Sequence, residues 1–131
     1  MKVVYELFVR GIPKAQPRPR MGTNGHVFNP KSADAWKDEV RAAFLVCRKE
    51  KITEPVHLTV CFYLPMPKEM KKSKDEYVWH GRKPDLDNLL KAVMDAITSI
   101  GIWKDDALVF AIDCEKWYSR VKTGATIIIE A

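Results

Sequence analysis

The sequence predicts an α+β domain in which two main helices pack on a mixed, mainly antiparallel β-sheet. Three observations support this class. The chain has 131 residues, a length that suits one compact domain with its own core. Apolar residues recur at every second position in some segments and at helical spacing in others. The segments follow in the order strand, helix, strand, helix, strand, strand. Without a repeat or linker in the sequence, residues 1–131 are expected to form a single domain.

Alternation of apolar residues predicts the first two long strands. In residues 2–10 it ends at Gly11 and Pro13, and in residues 56–64 it ends at Pro65 and Pro67. The apolar positions are Val3, Tyr5, Leu7 and Val9 in the first segment and Val56, Leu58, Val60, Phe62 and Leu64 in the second.

Helical spacing predicts two helices. The first is expected over residues 30–50, with Asn29 as a cap and Pro30 in the first turn. The second starts at the run that contains Asp85 and Asp87 and can end at Gly101 in a left-handed conformation. The apolar stripes are Ala33, Trp36, Val40, Phe44 and Cys47 in the first helix and Leu89, Leu90, Val93, Met94, Ile97 and Ile100 in the second.

The remaining segments are interpreted as two loops and a hairpin. Residues 14–20 contain two prolines and several cations, which favours an exposed, basic loop. Residues 68–84 lack sustained periodicity and predict a second basic loop. Residues 108–118 and 125–130 are rich in β-branched and aromatic residues, and Gly124 in their short connection favours a β-hairpin.

Charge and cysteine usage limit the function classes. The net charge is +5 and the pI is about 9.1, which favours a polyanionic partner without proving one. Cys47, Cys61 and Cys114 are far apart, which argues against a disulfide framework or a zinc knuckle. No signal peptide or membrane span is evident, so the protein is expected in the cytoplasm.

Two carboxylates stand two residues apart where the second helix should start. If Asp85 and Asp87 are both extended, their side chains point to one face and can share a cation. The alternative is structural: Asp87 is a good helix N-cap and lies four residues from Lys91, the spacing of an ordinary ion pair. Asp95, four residues further on, fits a solvated ladder of charges. The missing oxygen ligand and glycine exclude an EF-hand.

A second acidic pair, Asp105 and Asp106, follows the end of the same helix. The helix ends should lie roughly 20 Å apart. The chain must therefore turn back for the two pairs to meet, and the sequence does not decide whether it does.

Residues 83–91, with the sequence KPDLDNLLK, Asp95-Ala96, and residues 101–109, with the sequence GIWKDDALV, together resemble the signature of RusA-type Holliday junction resolvases. Residues 16–20 extend the resemblance more weakly. It implies a RusA-like fold and a structure-specific endodeoxyribonuclease that resolves Holliday junctions in DNA repair and recombination. Family members act as homodimers that make paired symmetric nicks, depend on Mg²⁺, with Mn²⁺ as a substitute, and are often encoded by prophages.

The resemblance also implies the site residues. Asp85, Asp87 and Asp106 correspond to the catalytic, metal-binding aspartates, Lys91 to the essential lysine, and Asp105 to an acidic neighbour that can add a ligand. Hard oxygen ligands suit Mg²⁺. Lys91 can either orient the attacking water or stabilise the transition state.

Basic loop residues are the candidates for contacts with branched DNA. Tyr77 and Trp79 can stack on bases or pack under the loop, whereas Trp36 and Trp103 are expected in the core. The alternative functions are a nuclease for flaps or other branched DNA, a non-catalytic branched-DNA-binding protein, and a phosphohydrolase for small nucleotides. The candidate DNA-binding residues are Lys14, Arg18, Arg20, Lys71, Lys72, Lys74, Arg82 and Lys83.

Overall fold

A computed structural model of the chain describes residues 1–28, 31–70 and 74–131, with only the backbone described at Phe28. The strands are β1 (Val3–Arg10), β2 (Arg20–Met21), β3 (Val27–Phe28), β4 (Val56–Pro65), β5 (Tyr77–Trp79), β6 (Val109–Ser119) and β7 (Gly124–Glu130). The helices are α1 (Asp34–Val46) and α2 (Leu86–Ser99), and short 3₁₀ turns cover Lys68–Met70 and Asp106–Leu108.

Five strands form one mixed sheet in the order β1-β7-β4-β6-β5, and β2 pairs only with β3. Neighbours are antiparallel except for β4 and β6, which are parallel. The predicted α+β class, with two main helices on a mixed and mainly antiparallel sheet, is therefore confirmed.

Strand β4 is the central element of the sheet. Its inward-facing side chains are all buried, as the alternation predicted, and its two edges pair with β6 and β7. The same face meets both helices, so apolar residues of helices and strands make one core. Each large side chain buried there contributes about 1.5–3 kcal/mol.

The predicted hairpin is wrong. Strands β6 and β7 do not pair with each other, because β4 lies between them and bonds to both. Residues 120–123 connect the two strands across the end of β4. Two strand spacings amount to roughly 10 Å, which so short a connection can span.

Helix α1 is shorter than predicted, running from Asp34 to Val46 rather than over residues 30–50. Its first flanking residue is Ala33, and the expected cap and proline, Asn29 and Pro30, lie outside the described residues. Trp36, Val40 and Phe44 are buried as predicted, but Cys47 is exposed because the helix has ended before it.

Helix α2 follows the prediction closely. Leu89, Val93 and Ile97 are buried, and the other residues of the stripe pack against the core from its edge. Gly101 ends the helix region with φ +70°, the left-handed conformation that glycine adopts without strain. Trp103 is fully buried beyond it, and its indole donates a hydrogen bond of 2.7 Å to the Thr98 hydroxyl.

Two short pieces of strand were not predicted. One is β5, a three-residue strand that pairs with the end of β6 inside the segment interpreted as a basic loop. The other is the β2–β3 ribbon that follows the proline-containing loop. Neither is long enough to show a period-two pattern.

In the described parts of the chain, no helix combines the length and hydropathy that crossing a membrane requires.

Candidate nuclease site

The first part of the candidate site is the start of α2. Asp85 flanks the helix in extended conformation, with φ −69° and ψ 141°, and Asp87 lies in the first turn. The helix begins at Leu86, whose side chain packs against the core. Both expectations for Asp87, an extended residue and an N-cap, are therefore wrong. The Asp87 carboxylate instead accepts a hydrogen bond of 3.0 Å from the Asn88 backbone amide.

Lys116 of β6 holds the segment that leads into α2. Its ammonium group donates hydrogen bonds of 2.8 Å to the backbone carbonyls of Arg82 and Pro84. Charged donors make stronger hydrogen bonds than neutral ones. Lys116 thus fixes the chain immediately before Asp85. The sequence analysis did not predict this role. The feature that could have indicated it is a lysine at a strand position that faces the helices.

Asp85 carries a negative charge that several cations stabilise. The Lys83 ammonium lies 2.8 Å from its carboxylate. That hydrogen bond, with the nearby charges of Lys116 and Arg18, holds the pKa of Asp85 below its usual value. Asp85 is therefore ionised at neutral pH, and the positive field around it also suits a phosphate.

The second acidic pair turns back toward the middle of α2. The backbone amide of Ile52 donates to the Ile102 carbonyl at 3.0 Å, and that of Lys104 donates to the Ile52 carbonyl at 2.9 Å, which ties down the chain after the helix. The 3₁₀ turn Asp106–Leu108 follows, with the Asp105 carboxylate accepting from the Ala107 amide at 2.8 Å.

Several charged groups near Asp106 act on its pKa. A hydrogen bond shared with Asp105, partial burial, and the charges of Asp105 and Asp95 raise its pKa, whereas the charge of Lys91 lowers it. The Asp106 side chain therefore lies in the field of the Lys91 and Asp95 side chains. Asp87 is one helical turn, about 6 Å along the axis, before Lys91.

Lys91 and Asp95 form an ion pair of 3.6 Å on the exposed face of α2. The predicted i,i+4 ladder is present between these two residues, whereas the Asp87 carboxylate accepts a hydrogen bond from the Asn88 backbone amide. Asp95 was interpreted as a solvated charge, but it borders a cleft and acts on Asp106, so it belongs to the site region. The four-residue spacing from Lys91 is the sequence feature that could have indicated this position. The cleft is lined by Gln16, Pro17, Pro19, Lys31, Asp34, Lys37, Lys91 and Asp95.

The proline-containing loop is anchored over the start of α2. The Gln16 backbone amide donates to the Asn88 carbonyl at 2.9 Å, and the Lys37 ammonium donates to the Gln16 side-chain oxygen at 2.9 Å. This anchoring brings Arg18 close enough to Asp85 to affect its pKa. The loop is thus part of the wall of the site.

The predicted DNA-binding residues are divided between the two loops. Those that the structure describes are exposed, and Arg82 forms an ion pair with Glu69 that raises the pKa of Arg82 and lowers that of Glu69. Lys71 and Lys72 lie outside the described residues. The exposed cations are Lys14, Arg18, Arg20, Lys74, Arg82 and Lys83.

The structure does not bring the predicted metal ligands into one compact group. Within residues 1–28, 31–70 and 74–131, no three His, Cys, Asp or Glu side chains are close enough to hold one ion. Their chemistry nevertheless fits Mg²⁺, since Asp85, Asp87, Asp105 and Asp106 offer hard oxygen donors. The raised pKa of Asp106 reflects crowding of acids that a cation would relieve.

An α+β domain with acidic groups and a lysine along one helix, bordered by basic loops, has the groups that binding a divalent cation and a phosphate ester requires. Comparison with known proteins identifies the family. Residues 10–130 match the family described as endodeoxyribonuclease RusA.

The chain is also similar to two known proteins. The chain is 38% identical over 123 residues to the uncharacterized protein YqaN of Bacillus subtilis (strain 168), covering 86% of each chain. It is 29% identical over 103 residues to the crossover junction endodeoxyribonuclease rusA of Lactococcus phage r1t, covering 79% of this chain and 69% of the relative. The chain belongs to the RusA endodeoxyribonuclease family, as the resemblance of its motifs predicted.

Proposed function

We propose that the protein is a structure-specific endodeoxyribonuclease that resolves four-way DNA junctions by Mg²⁺-dependent hydrolysis of phosphodiester bonds, in cytoplasmic DNA repair and recombination. The observation that carries the proposal is the return of the chain after α2. The 3₁₀ turn that carries Asp106 contacts α2, and the charge of Lys91 lowers the pKa of Asp106, which supports a role for both residues in one site. Family membership and the crossover junction endodeoxyribonuclease of a phage, to which the chain is similar, support the substrate class.

Four aspartates are the proposed ligands of the metal ion. Asp85, Asp87 and Asp106 would hold the cation, with Asp105 as an additional ligand. Bound Mg²⁺ supplies positive charge for the phosphoryl oxygens and a more acidic water. To bind the cation, the Asp85 carboxylate must release the Lys83 ammonium, with which it forms an ion pair. Carboxylate ligands leave coordination positions of Mg²⁺ open for water and phosphate.

Lys91 supplies a positive charge to the scissile phosphate. Its side chain is 62% exposed and its partner Asp95 is at 3.6 Å, a long ion pair that a phosphate can displace at little cost. In the transition state negative charge accumulates on the phosphoryl oxygens, and a preoriented cation stabilises it. Lys91 therefore contacts the reacting group directly.

The exposed cations orient the DNA around this point. Arg18 and Lys83 flank Asp85, and Lys31 and Lys37 line the neighbouring cleft. Phosphate contacts of this type fix the register of a nucleic acid without reading its sequence. A bound strand would thus follow the cleft between the proline-containing loop and α1.

We infer that the active form is a homodimer with one site in each subunit. A four-way junction presents two strands related by two-fold symmetry, and a two-fold dimer matches them. Paired symmetric nicks follow from this arrangement.

The experiment that tests the function compares Asp87→Asn with Asp38→Asn on synthetic four-way junctions, flaps and plain duplex. Asp38 is a matched control because its exposed carboxylate forms a surface ion pair with Arg41 on α1. We expect Asp87→Asn to bind junctions with nearly unchanged Kd while cleavage falls roughly a hundredfold or more. Asp38→Asn should cut like the wild type, and EDTA should stop all cleavage.

Two results would contradict the proposal. Cleavage by Asp87→Asn at the wild-type rate would remove this carboxylate from the site. Wild-type protein that binds junctions in Mg²⁺ without cutting them would instead be a branched-DNA-binding protein. Preferential cutting of flaps would agree with the proposed hydrolysis but contradict the four-way junction as the substrate.

A further inference from the structure

The face of the sheet opposite the helices carries a continuous row of aromatic side chains. Tyr63 of β4 and Trp117 of β6 are register partners, and Trp117 is paired in turn with Trp79 of β5. Strands β1 and β5 add Phe8 and Tyr77. We call these five residues the aromatic row.

Ring contacts hold the aromatic row together. The ring centroids of Phe8 and Tyr63 lie 6.3 Å apart, those of Tyr63 and Tyr77 5.5 Å, and those of Trp79 and Trp117 6.2 Å. A pocket lined by Tyr63, Tyr77, Trp117 and Glu115 connects the two halves. The ring pairs are tilted rather than stacked face to face, and the Lys122 ammonium lies over the Phe8 and Tyr63 rings, so the rings most open to a flat ligand are Trp79 and Tyr77.

The β5 members of the aromatic row are exposed, whereas Phe8, Tyr63 and Trp117 are half-buried. The two helices pack on the other face of the sheet, where the buried positions of β4 and β7 lie. Trp79 is 80% exposed and Tyr77 is 38% exposed. Exposed indole and phenol surfaces gathered in one patch are typical of a binding site rather than of a bare protein surface.

Cations lie on one side of the aromatic row and an acid on the other. The Lys122 ammonium is 4.9 Å from the Phe8 centroid and 4.5 Å from the Tyr63 centroid. Arg10 and Lys122 line a second pocket beside Phe8. Glu115 borders the row near Trp117 and repels phosphates. A polyanion whose flat groups cover the rings must therefore carry its phosphates on the side of Lys122 and Arg10.

The aromatic row lies at the end of the sheet that also holds the start of α2. Lys116, which bonds to the carbonyl of Pro84, is the neighbour of Trp117 in β6. Strand β5 ends at Trp79, and Asp85 follows six residues later, a chain length of at most roughly 20 Å. A DNA strand leaving the nuclease site can pass around the short strand β5 and reach the rings.

We propose that the aromatic row binds unpaired bases of single-stranded DNA by stacking, with the sugar-phosphate backbone on the side of Lys122. The inference rests on the proposed function for its ligand class, because a cutting site for branched DNA meets unpaired nucleotides at the branch point. Aromatic side chains on a sheet face accept every base, since each base has a π-face. Stacking therefore adds affinity without sequence preference.

The test separates stacking from charge. Fluorescence anisotropy in EDTA measures the binding of a labelled oligothymidylate and of an abasic sugar-phosphate chain of the same length. We expect the wild type to prefer the oligothymidylate. Trp79→Ala should weaken its binding roughly five- to hundredfold and leave the abasic chain unaffected. Lys122→Gln should weaken both probes, because it removes a contact with the phosphates.

Phe110→Ala is the matched control, since Phe110 is an aromatic residue of β6 that is 63% exposed at the opposite end of that strand. It should bind both probes like the wild type. Equal affinity of the wild type for the two probes would overturn the inference, as would an unchanged affinity of Trp79→Ala. If Trp79→Ala alters only the sedimentation coefficient, the aromatic row contacts a second copy of the chain instead.

These measurements involve no cleavage, so the two proposals fail separately. Absence of junction cutting by the wild type would refute the nuclease proposal and leave base stacking intact. Normal cutting combined with normal oligothymidylate binding by Trp79→Ala would refute base stacking alone.

Discussion

Replacing Lys116 with methionine tests whether the strand lysine positions the nuclease site. Methionine keeps the apolar stem but removes the ammonium group that bonds to the Arg82 and Pro84 carbonyls, both at 2.8 Å. Hydrogen bonds to charged groups contribute about 1.5–3 kcal/mol each, so two give at most roughly 3–6 kcal/mol. Water can reach these partly exposed carbonyls in the variant, which reduces the expected loss to about 1–3 kcal/mol.

The effect on cleavage should exceed the effect on stability. Without the lysine, the segment that carries Asp85 can shift, and a displacement of about 1 Å at a reacting centre can lower the rate roughly a hundredfold. We expect kcat to fall by about ten- to a hundredfold while the KM for a four-way junction changes little. Single-turnover cleavage, junction binding in EDTA and urea unfolding measure the three quantities.

Lys49→Met is the matched control for this experiment. The Lys49 ammonium also donates to a backbone carbonyl, that of Val4 at 2.6 Å, but it follows α1 and bonds to the start of β1 rather than to the segment before α2. It should lose stability in the same way and retain wild-type cleavage. The reasoning is refuted if Lys116→Met loses stability yet cuts with the wild-type kcat.

Two further predictions concern stability. Gly124 has φ +143°, and an added Cβ would lie 2.0 Å from the Val9 carbonyl oxygen, so Gly124→Ala should cost about 2–5 kcal/mol in urea unfolding, whereas Gly81→Ala, with nothing within 4 Å, should cost little. Burial and the charge of Lys116 lower the pKa of His80, so the folded protein favours its neutral form. The contribution of neutral His80 to the free energy of unfolding is therefore complete above about pH 6.5 and declines as the pH falls. His80→Gln should flatten the decline of Tm toward pH 5, and an unchanged decline would contradict this assignment.

The sequence by itself determined the long helix and strand, in which the apolar pattern repeats over several helical turns or strand alternations. Strand β4 and helix α2 agree with their predicted patterns, because a long buried face requires a regular apolar period. The motif around Asp85 and Asp87 also identified the family before any geometry was known. The ends of the first helix were predicted less accurately. Helix α1 ends at Val46, and Cys47 faces solvent although its spacing fits the apolar stripe.

Only the tertiary structure decided which strands pair and which charges meet. Strands β6 and β7 have the pattern and short connection of a hairpin, yet β4 separates them. Period two specifies the faces of a strand, not its neighbours, so sequence could not reveal this. The return of Asp106 toward Lys91 and the contact of Lys116 with Pro84 likewise depend on packing between distant segments. Local spacing contains no information about such distances.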